Sequence, residues 1–213
     1  MESREYQKIP GPFKRQTEGP ERNKLIIGEW SSEELRYLAD SHWYWTEKVD
    51  GTNIRVHWDG HRHSYGGRTD NAQIPAKLIG ALDALFAEEL FEQKFGAEPA
   101  TLYGEGYGAG VQKGGVYRAD MSFVLFDVRI GEWWLRPGDV ADVAKAMGIE
   151  TVPFVGLLTL FEAIERAQSD YGFPSAWNPN MQAEGVVGVT PLGLRDRAGH
   201  RLIVKVKRKD FRA

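Results

Sequence analysis

Thr46-Glu47-Lys48-Val49-Asp50-Gly51-Thr52-Asn53 is the stretch on which the reading of this 213-residue chain turns. Before it, Trp43 to Glu47 has the aromatic and β-branched make-up of a strand. After it, Asn53 to Trp58 alternates and predicts a second strand. Lys48 therefore stands where a strand gives way to an Asp50-Gly51 break. A lysine there, with a carboxylate two residues on and a glycine that lets the backbone fold close, has the make-up of a nucleophile site. Alone, such a fragment is more often a surface lysine beside a common turn, so the surrounding pattern has to decide.

Working outward, Asp59-Gly60 carries the signal of a two-residue hairpin, with His61 to Arg68 as the returning strand. Pro75 to Phe95 predicts one long helix, because Leu78, Ile79, Leu82, Leu85, Phe86, Leu90 and Phe91 fall near helical spacing and Gly96 follows as a stop. Further strands are predicted at Thr101 to Tyr107, Ser122 to Arg129, Gly185 to Thr190 and Arg201 to Lys207. Helices are predicted at Val140 to Met147, behind Pro137, and at Thr159 to Gln168. Upstream, Ser31-Ser32-Glu33-Glu34 caps a short helix around Leu35 to Ala39. Residues 1–24, with Pro10, Pro12 and Pro20, read as an extended arm ahead of a domain over 25–213. Strands and helices are mixed rather than alternating, which predicts an α+β fold, and the 24 glycines suit the turns of antiparallel sheets.

There is no cysteine, so disulfides and thiolate metal sites are excluded. No apolar run reaches the roughly 20 residues that span a bilayer, and the polar N-terminus has no signal-peptide core. A cytoplasmic protein without a membrane partner is expected. The net charge is −3, unlike most dedicated nucleic-acid binders. Positive charge is local: Lys205, Lys207, Arg208, Lys209 and Arg212 near the end, Lys8, Lys14, Arg15, Arg22 and Lys24 near the start. From charge alone both groups read as solvated surface.

Lys48-Val49-Asp50-Gly51-Thr52-Asn53 resembles the first motif of the covalent nucleotidyltransferases, which include ATP-dependent DNA ligases, RNA ligases and capping enzymes. With Thr46 and Glu47 in front, it looks especially like the RNA ligase 2 family. The remaining motifs follow in family order. Gly67-Arg68-Thr69 is similar to the short arginine motif after the first hairpin. Tyr103-Gly104-Glu105-Gly106 resembles the glycine-rich strand end with its glutamate, and Phe123 to Val128 the aromatic strand holding Phe126-Asp127. Glu184-Gly185-Val186-Val187 and Lys205-Val206-Lys207 match the last two, the lysines sharing one strand face. Residues 46–207 carry the likeness, and the arm before residue 25 is not matched firmly.

The resemblance implies a nucleotidyltransferase domain whose antiparallel sheets flank an ATP cleft. It implies an enzyme that takes AMP from ATP onto Lys48, passes it to a 5′-phosphate nucleic-acid end, RNA favoured, and lets a 3′-hydroxyl displace it. Lys48 must attack as a neutral amine, which costs about 4.6 kcal/mol at pH 7 for an ordinary lysine of pKa about 10.4. Lys205, Lys207 and a bound cation lower that cost. By resemblance, Glu105 contacts the ribose, Phe126 stacks on adenine, Arg68 holds phosphate and Glu184 binds Mg²⁺ or Mn²⁺. Asn53 and the backbone at Glu47 lie against the nucleotide, and Asp50 orients the site.

Three rivals remain at this stage. A small ATP-dependent DNA ligase is disfavoured by Asn53, where DNA ligases usually carry arginine, and a GTP-using capping enzyme by the same local difference. A non-catalytic nucleic-acid-binding relative is disfavoured by the full set Lys48, Glu105, Glu184, Lys205 and Lys207. Ligases of this superfamily usually carry a second, C-terminal domain. Only Arg208 to Ala213 follow the final motif, which predicts weak, salt-sensitive sealing unless a partner protein or the basic residues of the arm supply the missing grip. His61 and His63 share a strand face without an evident third metal ligand. Lys113, in a glycine-rich loop, reads as solvated, and most of the seven tryptophans read as packing.

Overall fold

The fold is that of a computed structural model, which describes residues 5–212. Residues 1–4 of the expected arm and residue 213 lie outside the described residues. In chain order the strands are β1 (Phe13–Arg15), β2 (Leu25–Trp30), β3 (His42–Lys48), β4 (Thr52–Trp58), β5 (His63–Gly66), β6 (Ala100–Tyr107), β7 (Ser122–Ile130), β8 (Trp133–Trp134), β9 (Glu150–Thr151), β10 (Phe154–Thr159), β11 (Gly185–Val189) and β12 (Ile203–Lys207). The helices are α1 (Glu33–Tyr37), α2 (Ala76–Leu85), α3 (Glu88–Phe95), α4 (Pro137–Met147) and α5 (Leu160–Gln168). The expected α+β class with antiparallel sheets is what these elements build. Two compact units divide the chain. One holds Gln7–Lys48 and the stretch from Pro153 onward, the other Val49–Val152 with Glu5 and Tyr6.

The first unit is built on a four-stranded sheet of order β10-β3-β11-β12, antiparallel throughout. Alternation along β3 sends Trp43, Trp45 and Glu47 to one face and Tyr44, Thr46 and Lys48 to the other. The first face is packed. Trp43 and Trp45 join Val186, Val204 and Val206 of the sheet and Leu160, Ala163 and Ala167 of α5 in one apolar core. α5 starts from a capping box in which Thr159 and Glu162 satisfy each other's backbone amides. The segment read as an arm takes part: β1 pairs with β2, and Phe13 is buried in this same core.

The second unit is built on a larger sheet of order β5-β4-β6-β7-β8, with β9 alongside β7 in the parallel sense. Ile54, Val56, Trp58, Leu102, Phe123 and Val128 form a core with Leu78 and Leu82 of α2, Phe91 of α3 and Val143 and Met147 of α4. Asn53, Arg55, Tyr103 and Glu105 alternate with those residues and so take the opposite face.

Two expectations are corrected and one strand is added. The helix predicted over Pro75 to Phe95 is two helices, α2 and α3, separated at Phe86 and Ala87, where the backbone leaves helical geometry. The step from Phe86 to Phe91 is five residues, which overshoots a helical turn by about 140°. A break lets both rings enter the core. The Asp59-Gly60 hairpin has a four-residue loop, 59–62, because Asp59 Oδ1 accepts the amides of His61 and Arg62 at 2.8 and 2.9 Å. Strand β10 was not foreseen. Its ladder absorbs Gly156 as an irregularity in the pairing with β3. Among the described residues no helix is long and apolar enough to cross a membrane.

Candidate active site

In the first unit, register brings three predicted residues to one end of the four-stranded sheet. Gly185 lies opposite Lys48 on one side and opposite Lys207 on the other. Glu184, just before β11, reaches both lysines: Lys48 Nζ stands 2.6 Å from Oε2 and Lys207 Nζ 2.5 Å from Oε1. The side chains of Lys48, Glu184 and Lys207 are 22%, 16% and 19% exposed, so the cluster is sheltered but reachable. Burial alone would raise the pKa of Glu184, but Lys48 and Lys207 outweigh it and hold the group below the ordinary carboxylate value. Glu184 is thus a carboxylate at neutral pH. Its carbonyl accepts the Arg208 amide at 3.1 Å, which ties it to the end of β12.

Lys205 lies two residues before Lys207 on the same strand face, and its amide donates to the Pro10 carbonyl at 2.9 Å. The side chain of Glu47 takes the packed face instead. Its Oε2 accepts the Ala176 amide at 2.8 Å. Burial pushes its pKa up, against the Ala176 amide and the Ser175 hydroxyl. Among the arm's cations, Lys14 pairs with Glu29, Arg15 with Asp210 and Lys24 with Glu21.

In the second unit, Asn53 and Glu105 are direct cross-strand partners, and Glu105 faces Val124 on β7. Asn53 Oδ1 is buried with no hydrogen-bond partner, an acceptor held ready for a donor. Gly51 leads into this pair. A Cβ there would lie 2.3 Å from the Gly106 oxygen and 2.8 Å from Glu105 Cγ, so only glycine fits. Phe126 has a placement that sequence could not foresee. Leu125 pairs with Gly104 and Asp127 with Tyr103, leaving Phe126 as the extra residue of a bulge. Bulges re-aim a side chain and recur beside active sites. The ring of Phe126 meets that of Tyr6 at 5.1 Å and 70°.

Arg68 is exposed on the turn after β5. That turn is held by buried Arg55, whose Nε donates to the Gly67 carbonyl and whose Nη2 donates to Asp70, both at 2.7 Å. The Asp50 amide donates to the Tyr117 hydroxyl at 3.3 Å.

Residues 41–207 match the profile of the family described as RNA ligase. The chain belongs to the RNA ligase family. No curated protein sequence matches it. Among solved structures it is similar to Naegleria gruberi RNA ligase in three lysine or glutamate variants. One, with AMP and Mn, superposes at a TM-score of 0.65 and 18% identity, covering 82% of this chain and 52% of that one. A second, with ATP and Mn, gives 0.65 and 20%, covering 83% and 54%. A third, also with ATP and Mn, gives 0.66 and 19%, covering 82% and 52%. These likenesses establish a shared fold, and this family member spans about half the length of the ligases it matches.

Glu184 carries the sequence expectation of a divalent cation, and the donor set can be weighed against it. Among the described residues no three His, Cys, Asp or Glu side chains gather as a metal cage. Glu184 offers hard oxygens, and Mg²⁺ characteristically takes one or two carboxylates together with substrate phosphates and water. One carboxylate fits a cation that arrives with phosphates. His61 lies in the β4–β5 loop and His63 stacks on Phe91 at 5.4 Å, so neither marks a centre. Lys113 is exposed. Arg55, Tyr6 and Tyr117 escaped the sequence reading. An arginine inside the apolar run Ile54 to Trp58 was a usable signal for the first, whereas the two tyrosines act through contacts far apart in sequence.

Proposed function

We propose that this chain is an ATP-dependent RNA ligase that carries AMP on Lys48 and transfers it to 5′-phosphate ends, with RNA favoured over DNA. The observation that carries the reading is the convergence of Lys48, Glu184 and Lys207 across three neighbouring strands. The reaction has three steps. Lys48 Nζ attacks the α-phosphorus of ATP, a P–N bond forms and pyrophosphate leaves. A 5′-phosphate oxygen then attacks that phosphorus, freeing the amine. Last, a 3′-hydroxyl attacks the 5′-phosphate and AMP departs.

Attack requires a lone pair on Nζ, so the Lys48–Glu184 contact must open first. Lys207 is placed to hold Glu184 while Lys48 turns to phosphate, and Lys205 and Lys207 balance charge on the transferring group. Mg²⁺ or Mn²⁺ held by Glu184 and the ATP phosphates would withdraw electron density from the α-phosphorus. Glu105 and Asn53 are assigned to the nucleoside, where the unmatched Asn53 acceptor supports the reading. Phe126 is assigned to the base, and the exposed fork of Arg68 to phosphate. The backbone at Glu47 is assigned to the nucleotide while its side chain anchors the 175–176 segment.

Incubation with α-labelled ATP and Mg²⁺ or Mn²⁺, followed by a denaturing gel, tests the proposal. A labelled band is expected from the native chain and none from Lys48→Ala. An unlabelled native chain, or a labelled Lys48→Ala, would rule it out.

A further inference from the structure

The sheet face that carries Lys48 continues past it, onto the edge strand β10. Phe154 pairs with Thr46 and Leu157 with Tyr44, so these side chains share the Lys48 face. Phe154 and Leu157 are 53% and 55% exposed, large apolar groups left in solvent. Phe154 packs against Tyr44 in a tilted pair, with centroids 4.5 Å apart and planes 30° from parallel. The two rings form one continuous aromatic surface, not two separate exposures.

Position and charge say what this surface receives. At about 3.4 Å per residue, Thr46 lies about 7 Å and Tyr44 about 14 Å along β3 from Lys48. At a nucleic-acid rise of about 3.4 Å per nucleotide in a strand, that is two to four nucleotides. On the other side of β3, strands β11 and β12 bring Lys205 and Lys207 to this same face. With Lys48 they make three cations against the single carboxylate Glu184, in a chain whose net charge is −3. A ligand with anionic groups on one flank and flat apolar groups on the other matches both. A polynucleotide has that chemistry, since any base offers a π-face to an aromatic ring.

We propose that Phe154, Tyr44 and Leu157 form a base-stacking platform for the nucleotides next to the 5′-phosphate end. The inference rests on Lys48 as the AMP carrier, which fixes where that end must come. The platform sorts by base stacking rather than base identity, so it binds without regard to sequence.

The test is fluorescence anisotropy of a labelled, single-stranded, 5′-phosphorylated RNA with the full chain, beside self-labelling by ATP, which uses no RNA. Phe154→Ala should weaken RNA binding about tenfold, within the 1–3 kcal/mol typical of one stacked base. Phe154→Trp should keep it, Leu157→Ala should lose less, and ATP labelling should hold. Since Phe154 is half-exposed, unchanged thermal unfolding of Phe154→Ala is the control for folding. Unchanged RNA binding would overturn the proposal. So would a raised ATP requirement in Phe154→Ala, which would place the rings at the ATP base. A native dimer that Phe154→Ala converts to a monomer would show that a second copy covers the face. Absent ATP labelling with the RNA result intact would strike the Lys48 chemistry and leave the platform standing.

Discussion

Lys48, Glu184 and Lys207 in one unit are locked to one another by side-chain ion pairs. Asn53, Glu105 and Phe126 in the other are placed by backbone: cross-strand register, glycines without room for a Cβ, and a bulge. The first arrangement depends on charge, so a neutral substitution should destroy it while the sheet persists. The second depends on the path of the chain, so added volume should damage it most. The two regions therefore predict different kinds of sensitivity.

The largest effect should come from charge. Lys207→Ala and Glu184→Ala should each lower AMP labelling by about 100-fold or more, the scale of removing one preorganised electrostatic partner. Lys209→Ala, beyond β12, should stay within about twofold of native. Equal losses at Lys205, Lys207 and Lys209 would replace a built cluster with a diffuse basic patch and dissolve the contrast.

Next comes volume. Gly51→Ala should cost about 1–3 kcal/mol of stability, the usual penalty of overpacking, and lower labelling with it. Thermal unfolding together with an ATP titration reads both. A variant as stable and active as native would mean that the turn has slack the geometry does not suggest.

Phe126→Ala sharpens the comparison further. Loss of a stacking surface should raise the ATP concentration for half-maximal labelling about tenfold while leaving the maximal level near native. A fall in the maximal level with an unaltered ATP requirement would assign Phe126 to the chemistry instead of the base. ATP should also be preferred to GTP.

The smallest effects are pH-dependent and opposite in sign. Glu184 is held below its ordinary value of 4.5, so its ionised form stabilises the fold above that pH and the contribution is lost as pH falls through the lowered value. Glu47 is pushed above 4.5 by burial, so stability declines as pH rises from 4.5 through the raised value. Glu184→Gln should flatten the loss of stability on the acid side. Glu47→Gln should gain on native as pH rises. Each kcal/mol should move the melting temperature by about 2–4 °C. Curves of the same sign for both variants would contradict the opposite environments of the two carboxylates, one ion-paired and one buried.

Much of this was legible in the chain itself. Strands with clean alternation, such as Asn53 to Trp58, and the helix opened by Thr159 were readable because local signals decide them. The charged cluster was readable because Lys48, Glu184 and Lys207 sit at strand ends within a recognisable order of motifs. Features set by distant partners were not. Gly156 looks like an interruption until β3 supplies its ladder, and Phe126 looks like any core aromatic until Tyr103 and Gly104 fix the register around it. Pairing of surface charges was not legible either. Lys14, Arg15 and Lys24, which by charge alone read as solvated surface, are each met by a carboxylate. Lys8 and Arg22 of the same group are exposed.

The bond from the Lys205 amide to Pro10 bears on how this sheet meets other protein chains. An unprotected outer strand is a template on which another polypeptide can add, the first step of aggregation. Here the lysine-bearing edge is capped by a residue that accepts a hydrogen bond but has no N–H to pass the ladder on. Proline thus terminates the pleat beside Lys205 and Lys207, which guards the lysine-bearing flank from fibril-like growth without spending a whole strand on it.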